Sequence, residues 1–322
     1  MSKHSLIGIG GSAGALPALV TFLDHFRPED DCALFIVIHS AAESDRLTDI
    51  LQRHTALKVR EPEDGEAFEL GHVYVAPHDC HLLLGKEHVH LRRGPRENNF
   101  RPAIDPLLRS LAVFGSTRAS AVILSGYLDD GAAGCRAMRS TGGAIFVQDP
   151  AECLSGQMPR SVISAVGEPD GVLPSAELGE AVAAWIGKEA APSIEASEYV
   201  RTEMLIAGLE RASMRTEEQL GELSPCNCPD CNGVLWRIED GTLVRYRCHT
   251  GHAYTESSLD KRQTEMLERS LYDSLRALRE KIEMLETLAQ REPERADRWL
   301  SRAKDYRDDA ETIEAMLLSR DT

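Results

Sequence analysis

Over residues 5–190, short apolar runs alternate with stretches in which apolar positions recur every three or four residues. The runs Leu6–Gly10, Ala33–His39, His72–Ala76, His81–Leu84, Ser120–Ser125, Ala144–Gln148 and Gly171–Leu173 predict strands. The periodic stretches Leu16–Phe26, Arg46–His54, Ile104–Phe114 and Ala132–Ser140 predict helices. Strands alternating with helix-length segments predict an α/β fold: a three-layer, doubly wound, mostly parallel sheet with helices on both faces. Leu70–Leu91 holds two closely spaced strands and predicts an antiparallel hairpin added to that sheet.

Near Ala190 the pattern changes. Ala191-Pro192-Ser193 looks like a linker, Glu198–Leu220 reads as a helix, and a cysteine-rich module runs from Pro225 to about Tyr254. Beyond it, Leu271, Leu275, Leu278, Ile282, Leu285 and Ala289 step by four and three. Trp299, Ala303, Tyr306, Ala310, Ile313 and Leu317 repeat the steps after Pro293. Two apolar seams flanking a proline predict an antiparallel helical hairpin or coiled coil, which either packs on its own chain or pairs two copies as a homodimer. The boundaries expected are 1–190 for the α/β domain, 191–222 for a linker and helix, 223–256 for the cysteine module and 257–322 for the helical tail.

Composition narrows the partners. The 322 residues carry 52 acidic against 36 basic side chains, a formal charge of -16, which repels nucleic acid and anionic membrane surfaces. No apolar run approaches the roughly 18 residues needed to cross a bilayer. Lys3 followed by Leu6–Leu16 has the outline of a signal peptide, but its glycines sit where a first strand and turn are expected. Of eight cysteines, four are scattered, and Cys226, Cys228, Cys231 and Cys248 crowd beside His249 and His252. That clustering indicates metal rather than disulfides, and a reducing, cytoplasmic setting.

The first predicted strand runs into Gly8-Ile9-Gly10-Gly11-Ser12-Ala13-Gly14, which satisfies a loose dinucleotide-binding fingerprint. That fingerprint needs an acidic residue at the end of the second strand to hold the ribose, and His39 stands there instead. The alternative is a nucleophile. Ser12 is placed at a strand-to-helix turn, with helix N–H groups behind it for a developing oxyanion. His39 would accept its proton, and Asp129 or Asp130 lies just past the strand that ends at Ser125. Each residue also has a plain structural reading: Ser12 and Asp130 as helix caps, His39 as a satisfied core group.

Taken in order, Gly10-Gly11-Ser12-Ala13-Gly14, Ile38-His39, Gly71-His72-Val73-Tyr74-Val75-Ala76-Pro77, Arg101-Pro102-Ala103-Ile104-Asp105, Asp130-Gly131-Ala132-Ala133-Gly134, Gln148-Asp149-Pro150 and Met158-Pro159-Arg160 resemble the catalytic domain of CheB-type protein-glutamate methylesterases over residues 5–180. The resemblance implies a Ser-His-Asp triad of Ser12, His39 and Asp130. It also implies backbone oxyanion donors at Ala13 and Tyr127, and no cofactor for catalysis. The implied substrate is a methylated chemoreceptor or related sensory protein, hydrolysed at glutamate methyl esters and often deamidated at glutamines. The chain begins at the catalytic strand, so no phosphoryl-receiver domain is expected in cis. Ala15 stands where the family usually has a second glycine. Tyr127-Leu128-Asp129-Asp130 replaces a stretch resembling Met-Gly-Asn-Asp, which strains position 128 and adds Asp129 as a competing carboxylate.

Cys228-Pro229-Asp230-Cys231 and Cys248-His249-Thr250-Gly251-His252 have metal-ligand spacing around a predicted hairpin turn at Glu239-Asp240-Gly241-Thr242. Two such knuckles make a zinc ribbon, with Cys228, Cys231, Cys248 and His252 as expected ligands of a structural Zn²⁺, and Cys226 and His249 as spares. Two other functions compete with hydrolysis. One is a signalling adaptor that keeps the fold without activity. The other is a zinc-dependent nucleic-acid regulator using Arg237, Arg245 and Arg247, which the overall acidity opposes.

Overall fold

Strand β1 (Ser5–Gly11) is buried along its whole length, so both of its faces must be covered. Its neighbours are β2 (Cys32–Ile38) on one side and β7 (Ala119–Ile123) on the other, both parallel to it. The computed structural model describes residues 4–39, 44–115, 118–186, 188, 194–208 and 221–319. With β3 (Lys58–Arg60), β4 (His72–Val75), β8 (Ala144–Gln148) and β9 (Gly171–Leu173), these strands form one all-parallel sheet of order β3-β4-β2-β1-β7-β8-β9. The order reverses at β1, which makes its carboxyl end the topological switch point where α/β sheets gather functional groups.

Helices α3 (Ile104–Phe114), α4 (Ala132–Ser140) and α5 (Gln157–Val166) cover one face, over a core that includes Leu6, Phe35, Ile104, Leu108, Ile123 and Val147. Helices α1 (Ala15–Leu23) and α6 (Ser175–Ile186) cover the other, over Ile7, Ile9, Leu19, Phe22, Ile36 and Val122. Alternate residues of β1 enter opposite cores, as a doubly covered strand requires. Gly8 and Gly10 lie within β1 rather than in the turn after it. A Cβ on Gly10 would meet Ile104 at 2.5 Å, so this glycine lets α3 lie close on the sheet. The turn itself depends on Gly14, whose φ of 80° suits glycine.

The hairpin expected within Leu70–Leu91 is arranged differently. β4 joins the main sheet, while β5 (His81–Leu84) pairs with β6 (Val89–Arg92) as a separate two-stranded sheet. Helix α2 (Ser44–Gln52) precedes β3. Helix α7 (Glu198–Ala207) accounts for the start of the helix expected to Leu220, and residues 209–220 lie outside the described ones.

The chain divides into two compact units, residues 1–259 and 260–322. The first also contains an antiparallel sheet of β10 (Glu222–Asn227), β11 (Val234–Asp240), β12 (Leu243–Cys248) and β13 (Ala253–Thr255). A fully buried ionic cluster joins this sheet to the α/β layers. Arg247 and Arg245 of β12 meet Glu203 of α7 at 2.9 and 2.8 Å, Arg247 meets Glu97 at 3.1 Å, and Arg109 of α3 pairs with Glu97. Two of the three ribbon arginines are thereby withdrawn from the surface, and the third, Arg237, pairs with Glu239.

Helix α8 (Glu256–Arg291) and helix α9 (Ala296–Leu318) meet at the turn of Pro293–Arg295. In the second unit Arg279 pairs with Glu314 and Glu286 with Arg307, each at 2.6 Å, so one heptad forward on α8 matches one heptad back on α9. Antiparallel helices pair in this way. Leu275, Leu285, Ala289, Ala303 and Ala310 are the buried seam positions. Among the described residues no helix is long and apolar enough to cross a membrane.

Candidate active site

The three strands central to the sheet end at the three candidate residues. Ser12 follows β1, His39 follows β2, and Asp130 stands between β7 and α4. Backbone bonds continue the parallel ladder past the strand ends: Ser12 N–H donates to the Ser125 carbonyl at 2.9 Å, and His39 N–H to the Gly11 carbonyl at 3.0 Å. Ser125 Oγ also donates to the Ala13 carbonyl at 2.7 Å, fixing the turn ahead of α1.

Ser12 is half-buried, whereas the His39 side chain is 2% exposed. The imidazole stacks on Phe100, with ring centroids 3.7 Å apart and planes 8° from parallel. Its Nε2 lies 2.9 Å from Asp130 Oδ2, within ion-pair distance but out of line with the ring N–H direction. Nδ1 is buried without a hydrogen-bond partner. Ser12 Oγ donates over 3.5 Å to the His39 carbonyl, so in this state the hydroxyl is beside the histidine but not bonded to its ring. Catalytic hydrogen bonds are commonly loose before substrate binds.

Asp130 is fully buried and densely bonded. Oδ2 accepts from the Ile104 N–H at 2.6 Å; Oδ1 accepts from Asn98 Nδ2 at 3.0 Å, the Asp105 N–H at 3.1 Å and the Gly131 N–H at 3.0 Å. Burial alone pushes its carboxyl up. The contact and charge of His39, with the Ile104 and Asn98 donors, outweigh burial and hold it below the usual carboxylate range. Its neighbour Asp105 goes the other way: burial, then the charge of Asp130, push it up to about 7.

Asp129 does not compete for His39. Its carboxylate accepts from Thr255 Oγ1 at 2.6 Å and Ser257 Oγ at 2.7 Å, and burial raises its pKa. Leu128 adopts a φ of 62°, the left-handed conformation a glycine would take freely. Tyr127 is exposed. Phe100 and Asn98 escaped the sequence reading, although the unusual pair Asn98-Asn99, both with positive φ, marks a special turn just ahead of Arg101-Pro102.

In the antiparallel sheet, two tight turns bring the sulfurs together. Asn232 N–H donates to the Cys228 carbonyl at 2.8 Å in the first knuckle, and Gly251 N–H to the Cys248 carbonyl at 2.8 Å in the second. Asn232 and Gly251 both take positive φ. The ligating atoms of Cys228, Cys231, Cys248 and His252 all lie within 4.8 Å of one another. Cys231 and Cys248 sulfurs are 3.6 Å apart, and His252 Nδ1 is 3.6 Å from Cys228 and 3.5 Å from Cys248. A tetrahedron with metal–sulfur bonds near 2.3 Å has edges of roughly 3.8 Å, so the group fits such an ion. Cys226 and His249 stand outside it; the His249 ring lies against Gly233.

Comparison with known proteins shows which family the α/β part of the chain resembles. The model of the CheB methylesterase family matches residues 7–182. The protein-glutamate methylesterase/protein-glutamine glutaminase of Azospirillum brasilense is 35% identical over 183 residues, 55% of this chain and 46% of that protein. Its namesake from Escherichia coli K12 is 36% identical over 172 residues, 52% of this chain and 49% of that one. The crystal structure of the Thermotoga maritima CheB methylesterase catalytic domain superposes with a TM-score of 0.54 at 30% identity, covering 57% of this chain and 99% of that one. The chain thus spans about half the length of the curated relatives it matches.

Proposed function

The chain belongs to the CheB methylesterase family, and from that premise we propose that it is a protein-glutamate methylesterase acting through Ser12, His39 and Asp130. The observation that carries the reading is the convergence of a half-exposed serine and a buried His39–Asp130 pair, 2.9 Å apart, at the ends of three adjacent parallel strands. Ser12 Oγ attacks the ester carbonyl, and its proton passes to His39 Nδ1, the ring nitrogen that does not face Asp130. Asp130 faces Nε2 and stabilises the imidazolium. The Ala13 and Tyr127 N–H groups are the proposed donors to the oxyanion. As the tetrahedral intermediate collapses, the carbon–oxygen bond to methanol breaks and His39 returns the proton to the leaving alkoxide. Water, deprotonated by His39, then adds to the acyl carbon; the bond to Ser12 Oγ breaks as His39 returns the proton to that oxygen, leaving a glutamate side chain on the substrate.

The same acyl chemistry would take a glutamine amide with loss of ammonia, in keeping with the double name of the relatives. The substrate proposed is a methylated chemoreceptor or related sensory protein. Methanol release from a methylated receptor fragment, wild type against Ser12→Ala, tests the reading: equal release by the two proteins would sink it.

Cys228, Cys231, Cys248 and His252 are proposed to hold a structural Zn²⁺, supported by their mutual distances and their origin in two knuckles. Such an ion would fix the ribbon; with all four positions filled by protein it has none to offer a substrate. The eight cysteines are free, which suits a reducing cytoplasm. With Arg245 and Arg247 buried on glutamates, the ribbon presents little positive charge to a nucleic acid.

A further inference from the structure

Asn98 joins the carboxylate behind His39 to the start of helix α8. It is 2% exposed, and each polar atom of its side chain has a defined partner. Nδ2 donates to Asp105 at 2.9 Å and to Asp130 at 3.0 Å. Oδ1 accepts from the Thr255 N–H at 3.2 Å and from Ser258 Oγ at 3.3 Å. Its own N–H donates to the Ala253 carbonyl at 2.8 Å. A side chain here must give two hydrogens to two carboxylates and accept from the opposite side, which among side chains of this size only an amide does. Its left-handed φ of 51° narrows the choice further, since asparagine tolerates that conformation better than most residues.

The partners on the α8 side are themselves locked. Thr255 N–H donates to Ser258 Oγ at 2.8 Å and Ser258 N–H to Thr255 Oγ1 at 3.2 Å, a reciprocal cap on the first turn of α8. From the same turn Thr255 and Ser257 hold Asp129, the residue next to Asp130. The segment after the cysteine module therefore grips the loop that carries Asp130 at two points.

We propose that Asn98 is a positioning residue for hydrolysis at Ser12, and that Thr255, Ser257 and Ser258 hold it and the Asp129–Asp130 loop in register, making the start of α8 part of the active site. The proposal rests on the reading of Ser12, His39 and Asp130 given above. Asn98 acts through Asp130: its donated hydrogen stabilises the carboxylate that orients His39 and offsets the repulsion from Asp105.

The test compares wild type with Asn98→Asp, Asn98→Gly and the pair Thr255→Val with Ser258→Ala, measuring methanol release from a glutamate-methylated receptor fragment across pH. Asn98→Asp should lower kcat by about tenfold or more with KM changed less than about twofold, because Asn98 meets no substrate. Its acid limb should move to higher pH, since Asp130 loses a donor and gains a like charge. Asn98→Gly and the Thr255/Ser258 pair should move the limb the same way by less. Thermal unfolding and circular dichroism identify any variant lost to misfolding. A purely structural role would lower kcat at every pH without moving the limb, and that result overturns the proposal, as would wild-type kinetics in Asn98→Asp. Should wild type release no methanol, the hydrolytic reading fails by itself. Asn98 is then judged by the ¹⁵N and ¹H signals of the His39 ring, which lies 2.9 Å from Asp130: a shift in Asn98→Asp supports its positioning role, and unmoved signals refute it.

Discussion

Asp105 and Asp130 each cap the N-terminus of the helix that the other introduces. Asp130, just ahead of α4, accepts from the Ile104 and Asp105 N–H groups that open α3, at 2.6 and 3.1 Å. Asp105, in the first turn of α3, accepts from the Gly131 and Gly134 N–H groups that open α4, at 3.0 and 2.7 Å. Two helix N-termini thus stabilise two carboxylates in one buried space, and the pair cannot both ionise without mutual repulsion.

The consequence is a pH dependence of stability. The Asp105 carboxyl is raised to about 7 in the folded chain. A raised acid binds its proton more tightly when folded, so its contribution is full below its unfolded pKa and is lost as pH rises through about 7. Asp105→Asn keeps an acceptor oxygen for Gly131 and Gly134 and cannot ionise. Urea unfolding should show wild type losing a few kcal/mol between about pH 4 and pH 8 relative to Asp105→Asn. Parallel curves for the two proteins would refute the assignment.

Leu128 holds a φ of 62°, where a Cβ meets its own backbone. Its side chain is half-buried, so little packing repays the strain. Leu128→Gly removes that strain and should raise stability by about 1 kcal/mol, with the loop path unchanged. Because the Asp129 contacts to Thr255 and Ser257 hold the loop from the other side, kcat should stay within about twofold of wild type. A loss of stability would mean that Leu128 contributes packing the half-burial does not suggest.

The ionic cluster yields a sharper loss. Glu203 faces Arg245 and Arg247 directly, with Arg109 at 3.8 Å, and their charges overcome burial to hold its carboxyl far below the usual range. Glu203→Gln leaves three buried arginines with Glu97 as their remaining buried carboxylate. Breaking a buried pair from one side costs about 3–5 kcal/mol, and denaturant unfolding should read a loss of that size. Since the folded carboxyl is depressed, its contribution is present above its unfolded pKa and disappears as pH falls through the folded value. The gap between variant and wild type should therefore narrow in acid.

Much of this architecture was legible in the chain because it is written in local pattern. The runs that became β1, β2 and β7 are mostly apolar, and Ser12, His39 and Asp130 stand at or just past their ends. Other features depend on partners remote in sequence. Strand β3 is three residues long, with charged Lys58 and Arg60 beside Val59, and only its pairing with β4 makes it a strand. The hairpin of β5 and β6 has the same local pattern whether or not it joins the main sheet. Asp129 and Asp130 are chemically identical neighbours, and what separates them is Thr255, 126 residues away. Asn98 and Phe100 carry no periodicity at all; their roles come from the groups they meet.

The cysteine module leads to the last prediction. Cys248 N–H donates to the His252 carbonyl at 3.0 Å, and the residue after His252 is Ala253, whose carbonyl accepts from Asn98 and whose N–H donates to the Arg96 carbonyl at 3.2 Å. Two residues further on, Thr255 reaches both Asn98 and Asp129. The second knuckle is therefore covalently next to the segment that holds the Asp130 loop. If the four ligands bind Zn²⁺, elemental analysis should find about one equivalent per chain, falling to near zero in Cys228→Ser with Cys248→Ser. Ribbons of this size draw their folding energy from the ion, so the variant should lose protection from hydrogen exchange across β10–β13 and at Asn98 itself. Methanol release should fall by about tenfold while the β1, β2 and β7 amides stay protected, since their core does not depend on the metal. Full turnover with the metal gone would show that the ribbon is separable from the site it touches.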